Sequence, residues 1–546
     1  MRFFLKILLW LMATAILCSL AVSFIAGYIT SMTFLISLMH EETRADKILW
    51  LVTANKFLLL QGILLIVSIL IFFLLIKFNI VWQFIRKNFI GFKETFKQVF
   101  RDALHSEARF ILVLPIVSYV FFAFYLPVAY DEASTYLNFT SRSPLVSMLY
   151  YPAPNNHILH SVITNFTKYI PFLEPLQCMR ISSILASILT CILLFSFVRK
   201  YYSLNIALMV TGISSVLYLS VYYSFVSRGY ALVNLFFVLS LSCVYKIVFE
   251  NNQARHWFYF SVFSALGFYA MPSFLYPFFT LNLVLLLNNF KGLSKQLLSG
   301  FATVIMVAIL YMPVIAVNGL EALTNNKQLQ SATRAGVLNL FPAFASDSLS
   351  EITGISFWII ALLLLAALLL LVIQKRNLEI KLMAAFVIAP LLLMLIHPVI
   401  PFARTFSYYC IVLPFLCAIP VNAYLDKFSH TNITMAIIFI QFIFLYSFFI
   451  KMKSHKSENM SYAEINKNIA GNHSYYLNCR WYDAVLSFEL KTRNFNSAIV
   501  KYNNPLVKVS ADTIRNYDYI IIDKIFDETK TLTLLYSDKI TNVYKR

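Results

Sequence analysis

Residues 110–132 read FILVLPIVSYVFFAFYLPVAYDE, an apolar run that ends on two adjacent carboxylates, Asp131 and Glu132. A run of this length crosses the ~30 Å hydrocarbon core as a helix, because a helix satisfies its own backbone hydrogen bonds where no water can. The carboxylates then stand where the helix leaves the membrane. The other helix-sized apolar runs carry no acid near their middles, so an acid pair at this surface points to chemistry there.

Outward from that stretch the same kind of run recurs. A mean hydropathy of +0.73, with 51 Phe and 32 Tyr in 546 residues, describes a polytopic helical membrane protein and excludes a soluble multidomain one. Thirteen candidate spans are predicted, at about 4–28, 48–78, 110–128, 176–198, 204–225, 230–249, 257–270, 273–287, 297–317, 355–373, 380–396, 406–424 and 433–450. The first has Arg2 and Lys6 near its start and no small-residue cleavage site, so it reads as an anchor rather than a signal peptide.

The net charge of +19 has the sign of a nucleic-acid binder. Its Lys and Arg, however, sit mostly in short loops between apolar runs, as in Arg199-Lys200 and Lys375-Arg376. Such charges set topology and meet anionic lipid, which predicts membrane-lipid contact and no nucleic acid. The basic loops are then cytoplasmic, with the N-terminus. The stretches 41–47, 129–175, 318–354 and 397–404, the turns at Ser227-Arg228 and Met271-Pro272, and the tail from 451 onward face the other side. Seven Cys, an odd number scattered mainly through apolar runs, offer neither a disulfide framework nor zinc-ligand spacing.

Four segments follow: two N-terminal spans (1–78), a basic, aromatic amphipathic segment on the cytoplasmic leaflet (79–108), a transmembrane core (109–452) with the external loop 129–175, and a tail (453–546). In the tail, runs such as 475–477, 497–500 and 517–522 read as strands, predicting a small α/β domain.

The external loops carry the chemistry. Asp131 and Glu132, about 100° apart on a helix, do not form a paired acid and base on one bond. One carboxylate suffices as general base for an inverting transfer from a sugar phosphate, because the phosphate leaves without a general acid. Asn155-Asn156-His157 follows Tyr150-Tyr151-Pro152-Ala153-Pro154, and amides with an imidazole suit sugar hydroxyls or a phosphate. Arg180, Arg228 and Arg404 stand near the same surface, where the positive-inside trend makes arginine less expected, and a guanidinium binds phosphate with two hydrogen bonds. Each residue also has a plainer reading: a solvated helix end for the acids, an interfacial turn for His157, headgroup snorkelling for each arginine. No Asp-x-Asp motif and no Gly-rich phosphate loop occurs.

In this order the motifs resemble the GT-C glycosyltransferases, and among them the family 39 type that includes protein O-mannosyltransferases and lipid A aminoarabinose transferases. The elements are Asp131-Glu132, Asn156-His157, Arg180-Ile181-Ser182, Arg228-Gly229-Tyr230-Ala231-Leu232, Phe268-Tyr269-Ala270-Met271-Pro272 and Arg404, over about 110–450. The pattern departs where Ile158-Leu159 follows His157 in place of Pro-Pro, and where 269–276 lacks a Thr-His-Tyr form.

The resemblance implies an all-α polytopic GT-C-like fold of about 13 transmembrane helices, here with a small C-terminal α/β extracytoplasmic domain. It also implies a polyprenyl-phosphate-linked sugar as donor and a hydroxyl acceptor on protein, lipid or envelope glycan. Transfer would take place at the outer face of a cell inner membrane.

Asp131 is the expected general base, with Glu132 orienting a substrate. Asn156, His157, Tyr230 and Tyr269 are expected at the substrate, and Arg228 and Arg404, with Arg180 as the weaker candidate, at the donor phosphate. No cofactor is required, and an activating Mg²⁺ or Mn²⁺ remains open. Two other classes fit the chain in part: a transporter or flippase of lipid-linked glycans, which would place ionisable groups at mid-membrane, and a glycan ligase or polymerase using a diphosphate donor. The tail cluster Arg480-Trp481-Tyr482-Asp483 is a minor candidate for sugar contact, with a solvated loop or core Trp as its plainer reading.

Overall fold

A computed structural model of the chain describes residues 2–152, 155–250, 252–324, 330–479, 482–495, 498–502, 516–523, 533–537 and 541–545. Among them eight helices are long and apolar enough to cross a membrane, and up to ten if each of two bent pairs is one span. This is a multi-pass membrane protein. The thirteen expected runs are all helical, yet the number of full-length spans is smaller. The runs at 257–270, 273–287 and 406–424 form Ala254–Ala270, of 17 residues, and the shorter apolar helices Pro272–Asn288 and Tyr409–Leu425. Helices packed against protein need not match the lipid thickness.

The bent pairs were not expected. Leu204–Ser214 and Tyr218–Phe225 meet at 66°, where one straight span was predicted. Arg334–Thr353 is a 20-residue helix inside the supposed loop 318–354, set at 94° to Phe357–Ile373. At the first break Ser215, Val216 and Leu217 are buried in protein, where irregular backbone is tolerable, whereas Gly354 and Ser356 at the second are exposed.

The centre of the bundle is Pro175–Tyr201 and Tyr230–Phe249, the most buried spans. Arg2–Leu38, kinked at Gly27 (φ 70°), and Ala54–Ile76 lie at its side. They are joined to it where Met32, Val52 and Phe57 pack with Val317 and where Lys56 Nζ donates to Val317 O (2.7 Å). The amphipathic segment is the helix Phe78–Ala103, pinned at its end by Asp102, which accepts from Ser196 Oγ (2.6 Å).

The tail builds a five-stranded sheet in the order Ile499–Tyr502, Ser474–Asn478, Tyr519–Asp523, Thr541–Lys545, Thr533–Ser537; the first three strands are parallel and the last two antiparallel. The helix Tyr482–Thr492 lays Leu486 and Leu490 on Tyr475 and Leu477 of the sheet. Its Ala484 and Phe488 pack on Ala133 and Met179 of the membrane part, with the Phe488 ring edge-on to Tyr136 at 5.0 Å. The tail therefore sits directly on the short helix Tyr130–Thr135 that carries the acid pair. Arg480 and Trp481 lie outside the described residues.

Candidate active site

The two adjacent acids have opposite fates. Glu132, the third residue of its helix, turns back so that Oε2 accepts from the Ala129 amide (3.0 Å), as an N-terminal capping carboxylate does. It also accepts from Arg180 Nε (Oε1, 2.9 Å), Arg180 Nη2 (Oε2, 2.6 Å) and the Ser227 amide (Oε1, 2.7 Å). Four bonds fill a carboxylate's acceptor sites. Arg180 is equally saturated, because its other N–H groups go to the carbonyls of Ala123 (2.8 Å), Leu126 (2.8 Å) and Pro127 (2.9 Å). With side chains 0% and 1% exposed, the pair is a buried clamp that joins the end of the Ser106–Tyr125 span, the carboxylate helix and the Arg228 turn.

Asp131, about 100° round the helix, projects outward and is 44% exposed. Its Oδ2 lies 3.6 Å from Arg228 Nη2. Arg228 is held in a tight turn: Ser183 Oγ donates to Val226 O (2.8 Å) and Arg228 O (3.4 Å), and Arg228 Nη1 donates to Asn155 Oδ1. The residue it reaches is thus Asn155. Asn156, its neighbour, is buried and fully engaged, donating to Ser147 O and Tyr150 O (both 2.9 Å) and accepting from Ser161 Oγ (2.9 Å), so it shapes the loop from within.

Arg404 arrives from the turn Ala403–Phe406, which packs on the Arg334–Thr353 helix and follows the two-residue pairing of Gln330–Ser331 with Val399–Ile400. Its guanidinium lies 4.3 Å from the Phe402 ring and is hydrogen-bonded to Tyr230. Burial opposes its charge, but Tyr230, Tyr223 and Asp131 outweigh burial and raise its pKa. Asp131, Arg228, Arg404 and Tyr230 therefore share one site.

His157 closes the inner side. It is buried with its ring 5.5 Å from that of Tyr230, and neither ring nitrogen has a hydrogen-bond partner among the described residues. Burial, then Arg228, His160 and Arg404, hold its pKa well below the usual imidazole range. It is a neutral donor and acceptor. The ring fits because residue 229 is glycine: a Cβ there would stand 2.6 Å from His157 Nδ1 and 2.9 Å from Ala270 O. Next to Ala270, Tyr269 turns into an aromatic wall with Tyr311 (5.9 Å, edge-on) and Tyr151. Tyr151 approaches Arg228: burial pushes its pKa up to about 12, against the pull of the guanidinium.

Three participants were not singled out in the sequence. The Tyr223 ring lies 4.0 Å from that of Tyr230, tilted by 31°, in the field of both Arg404 and Arg228, and Tyr222 lies in that of Glu132 and, less strongly, Asp131. They arrive through the break after Ser214, and the aromatic stretch YLSVYYSF at 218–225 was the available signal. His160, bonded through Nε2 to Ser182 Oγ (2.9 Å), supports His157 from below. Two residues after Arg404, Phe406 helps to line an apolar cavity of about 470 Å³, with Phe341, Phe344, Ile352, Met383 and Leu413 among its other walls. Among the described residues no group of three or more His, Cys, Asp or Glu could hold a metal ion.

Neither a protein-family model nor a curated protein sequence matches the chain. Solved structures do. The chain matches the crystal structure of ArnT from Cupriavidus metallidurans in the apo state with a TM-score of 0.54 and 11% identity, covering 79% of this chain and 96% of that one. It matches the same protein bound to undecaprenyl phosphate with a TM-score of 0.53 and 10% identity, covering 80% and 97%. The chain therefore has an ArnT-like fold, in keeping with the fold that the resemblance in its motifs implied.

Proposed function

We propose that the protein is an inverting glycosyltransferase that moves a sugar from a polyprenyl-phosphate donor to an acceptor hydroxyl at the outer face of a cell inner membrane. The observation that carries this is the meeting of one solvent-reaching carboxylate, Asp131, with Arg228 at 3.6 Å and Arg404 in its field, beside an apolar cavity. The solved relative with undecaprenyl phosphate bound supports a polyprenyl partner.

In this reading the donor phosphate lies between Arg228 and Arg404, whose planar donors match its oxygens, and the lipid chain enters the cavity beside Phe406. Asp131 takes the proton of the acceptor O–H as that oxygen bonds to the anomeric carbon. The bond from that carbon to the phosphate oxygen breaks with inversion, and polyprenyl phosphate leaves with its charge held by the arginines. His157 and Tyr230 contact the sugar, and Tyr269 closes the far wall. Glu132, Arg180 and Asn156, engaged by protein, position the residues that react.

The arginines supply the charge stabilisation, so the reading needs no cofactor. Activation by Mg²⁺ or Mn²⁺ is a separate question that a chelator titration answers. The deciding experiment is transfer from a polyprenyl-phosphate monosaccharide by wild type and Asp131→Asn. Loss of transfer with retained folding is expected. Wild-type turnover of the variant, or use of a polyprenyl-diphosphate oligosaccharide alone, would overturn the assignment.

A further inference from the structure

Five cations from remote stretches gather at the far end of the helix that begins with the acids. Tyr130–Thr135 continues into the π-helical turn Tyr136–Thr140. Ser141 therefore lies about 15 Å along it from Asp131 at ordinary helical rise. There Lys491, from the tail helix, donates to Ser141 Oγ (2.8 Å), and Lys168 donates to Thr140 O (3.0 Å) and Arg142 O (2.7 Å). Arg142 pairs with Glu41 (2.7 Å), and Lys47 stands 5.7 Å over the Tyr150 ring. Arg44 is exposed and close enough to help depress the pKa of both Arg142 and Lys491.

The like charges are undercompensated. Glu41 already serves Arg142, and even with Glu42 and Asp46 of the same loop counted, five cations face three carboxylates. Burial, then Arg142 and Arg44, with Lys168, push the Lys491 pKa down against the opposing pull of Glu41, as expected where cations crowd around one shared carboxylate. The surroundings narrow the partner. Trp50, Phe166 and Tyr169 are exposed beside Lys47 and Lys168, the pattern of an interfacial aromatic belt rather than of a surface for a soluble anion. Basic clusters next to such a belt attract anionic headgroups.

We infer that Arg44, Lys47 and Lys491 form a site for the phosphate headgroup of an anionic outer-leaflet lipid, which bridges the tail domain to the loop that carries the acids. The side of the membrane rests on the orientation in the proposed function; the binding itself does not. A phosphate seated there replaces the repulsion with charge-assisted hydrogen bonds and ties Lys491 to the membrane surface.

The test uses the full-length protein, with phosphatidylglycerol as the probe and native mass spectrometry counting the lipid retained after extraction. Wild type is compared with Arg44→Gln/Lys47→Gln/Lys491→Gln and with a control, Arg493→Gln/Lys501→Gln/Lys545→Gln, that removes as much charge from exposed positions of the tail outside the cluster. The first variant should hold the lipid about a hundredfold more weakly, from three basic residues at an anionic surface, while the control matches wild type. Unchanged retention in the first variant, or equal loss in both, overturns the site. Displacement of the lipid by millimolar inorganic phosphate overturns the lipid assignment. Because retention does not read transfer, an inactive protein that keeps its lipid distinguishes failure of the proposed function from failure of this site.

Discussion

Arg180 and Glu132 close a two-bond ion pair, Nε to Oε1 at 2.9 Å and Nη2 to Oε2 at 2.6 Å, out of contact with solvent. Neutralising one partner leaves the other charge buried and uncompensated. Glu132→Gln should therefore cost roughly 3–5 kcal/mol of stability. Asp131→Asn, at the exposed neighbour, should leave the thermal midpoint unchanged and abolish transfer. Thermal unfolding of both variants in one detergent checks the contrast, and a stable Glu132→Gln protein would contradict the clamp.

Arg404 has Tyr230 as a hydrogen-bond partner and stands beside Phe402, leaving part of its donor fork for a ligand. A charge-assisted hydrogen bond contributes about 1.5–3 kcal/mol. Arg404→Ala should accordingly raise the donor KM by roughly 10- to 100-fold, with a smaller effect on kcat. Arg404→Lys should restore only part, since an ammonium lacks the planar fork. Steady-state kinetics with varied donor decide this; an unchanged KM would remove Arg404 from the phosphate site.

What could be seen beforehand, and what could not, follows from the range of the information. Apolar runs, basic loops, the acid pair and the three arginines are local features: the runs led to helices, and Asp131, Arg228 and Arg404, remote in the chain, lie together in the structure. The bend between Ser214 and Tyr218 carries no Pro, and Gly212, Ser214 and Ser215 are only a weak local sign of a kink, so Tyr222 and Tyr223 went unnoticed. The pairing of Arg180 with Glu132 spans 48 positions and depends on how two helices cross. Asn155 and Asn156 are chemically identical, and only the backbone of their turn sends one to Arg228 and the other into the loop interior.

Gly229 is a test of close approach. Its Cα faces His157 Nδ1 on one side and the Ala270 carbonyl on the other, and an added Cβ would stand at 2.6 and 2.9 Å from these atoms. The carbonyl is backbone and the ring is buried, so neither gives way cheaply. Gly229→Ala should cost roughly 1–3 kcal/mol and, by displacing the Arg228 turn or the imidazole, lower transfer more than it lowers the thermal midpoint. Measuring both on one preparation separates the effects, and a variant with wild-type turnover would show that the site tolerates the shift.

His160 gives the fold a pH dependence with a defined sign. Burial and then Arg228 push its pKa down to about 3, while an unfolded histidine titrates near 6.5. Between those values the unfolded chain holds a proton that the folded chain does not. Stability is therefore flat above about pH 6.5 and falls on acidification by about 1.4 kcal/mol per pH unit for one such group. His157, depressed in the same direction, adds to the slope. His160→Gln keeps a polar partner for Ser182 Oγ and removes one titrating site, so its thermal midpoint should fall less steeply than that of wild type between about pH 6.5 and pH 5. Equal slopes for the two proteins would mean that His160 takes up its proton in the folded state, and that the Arg228 turn does not exclude a second positive charge.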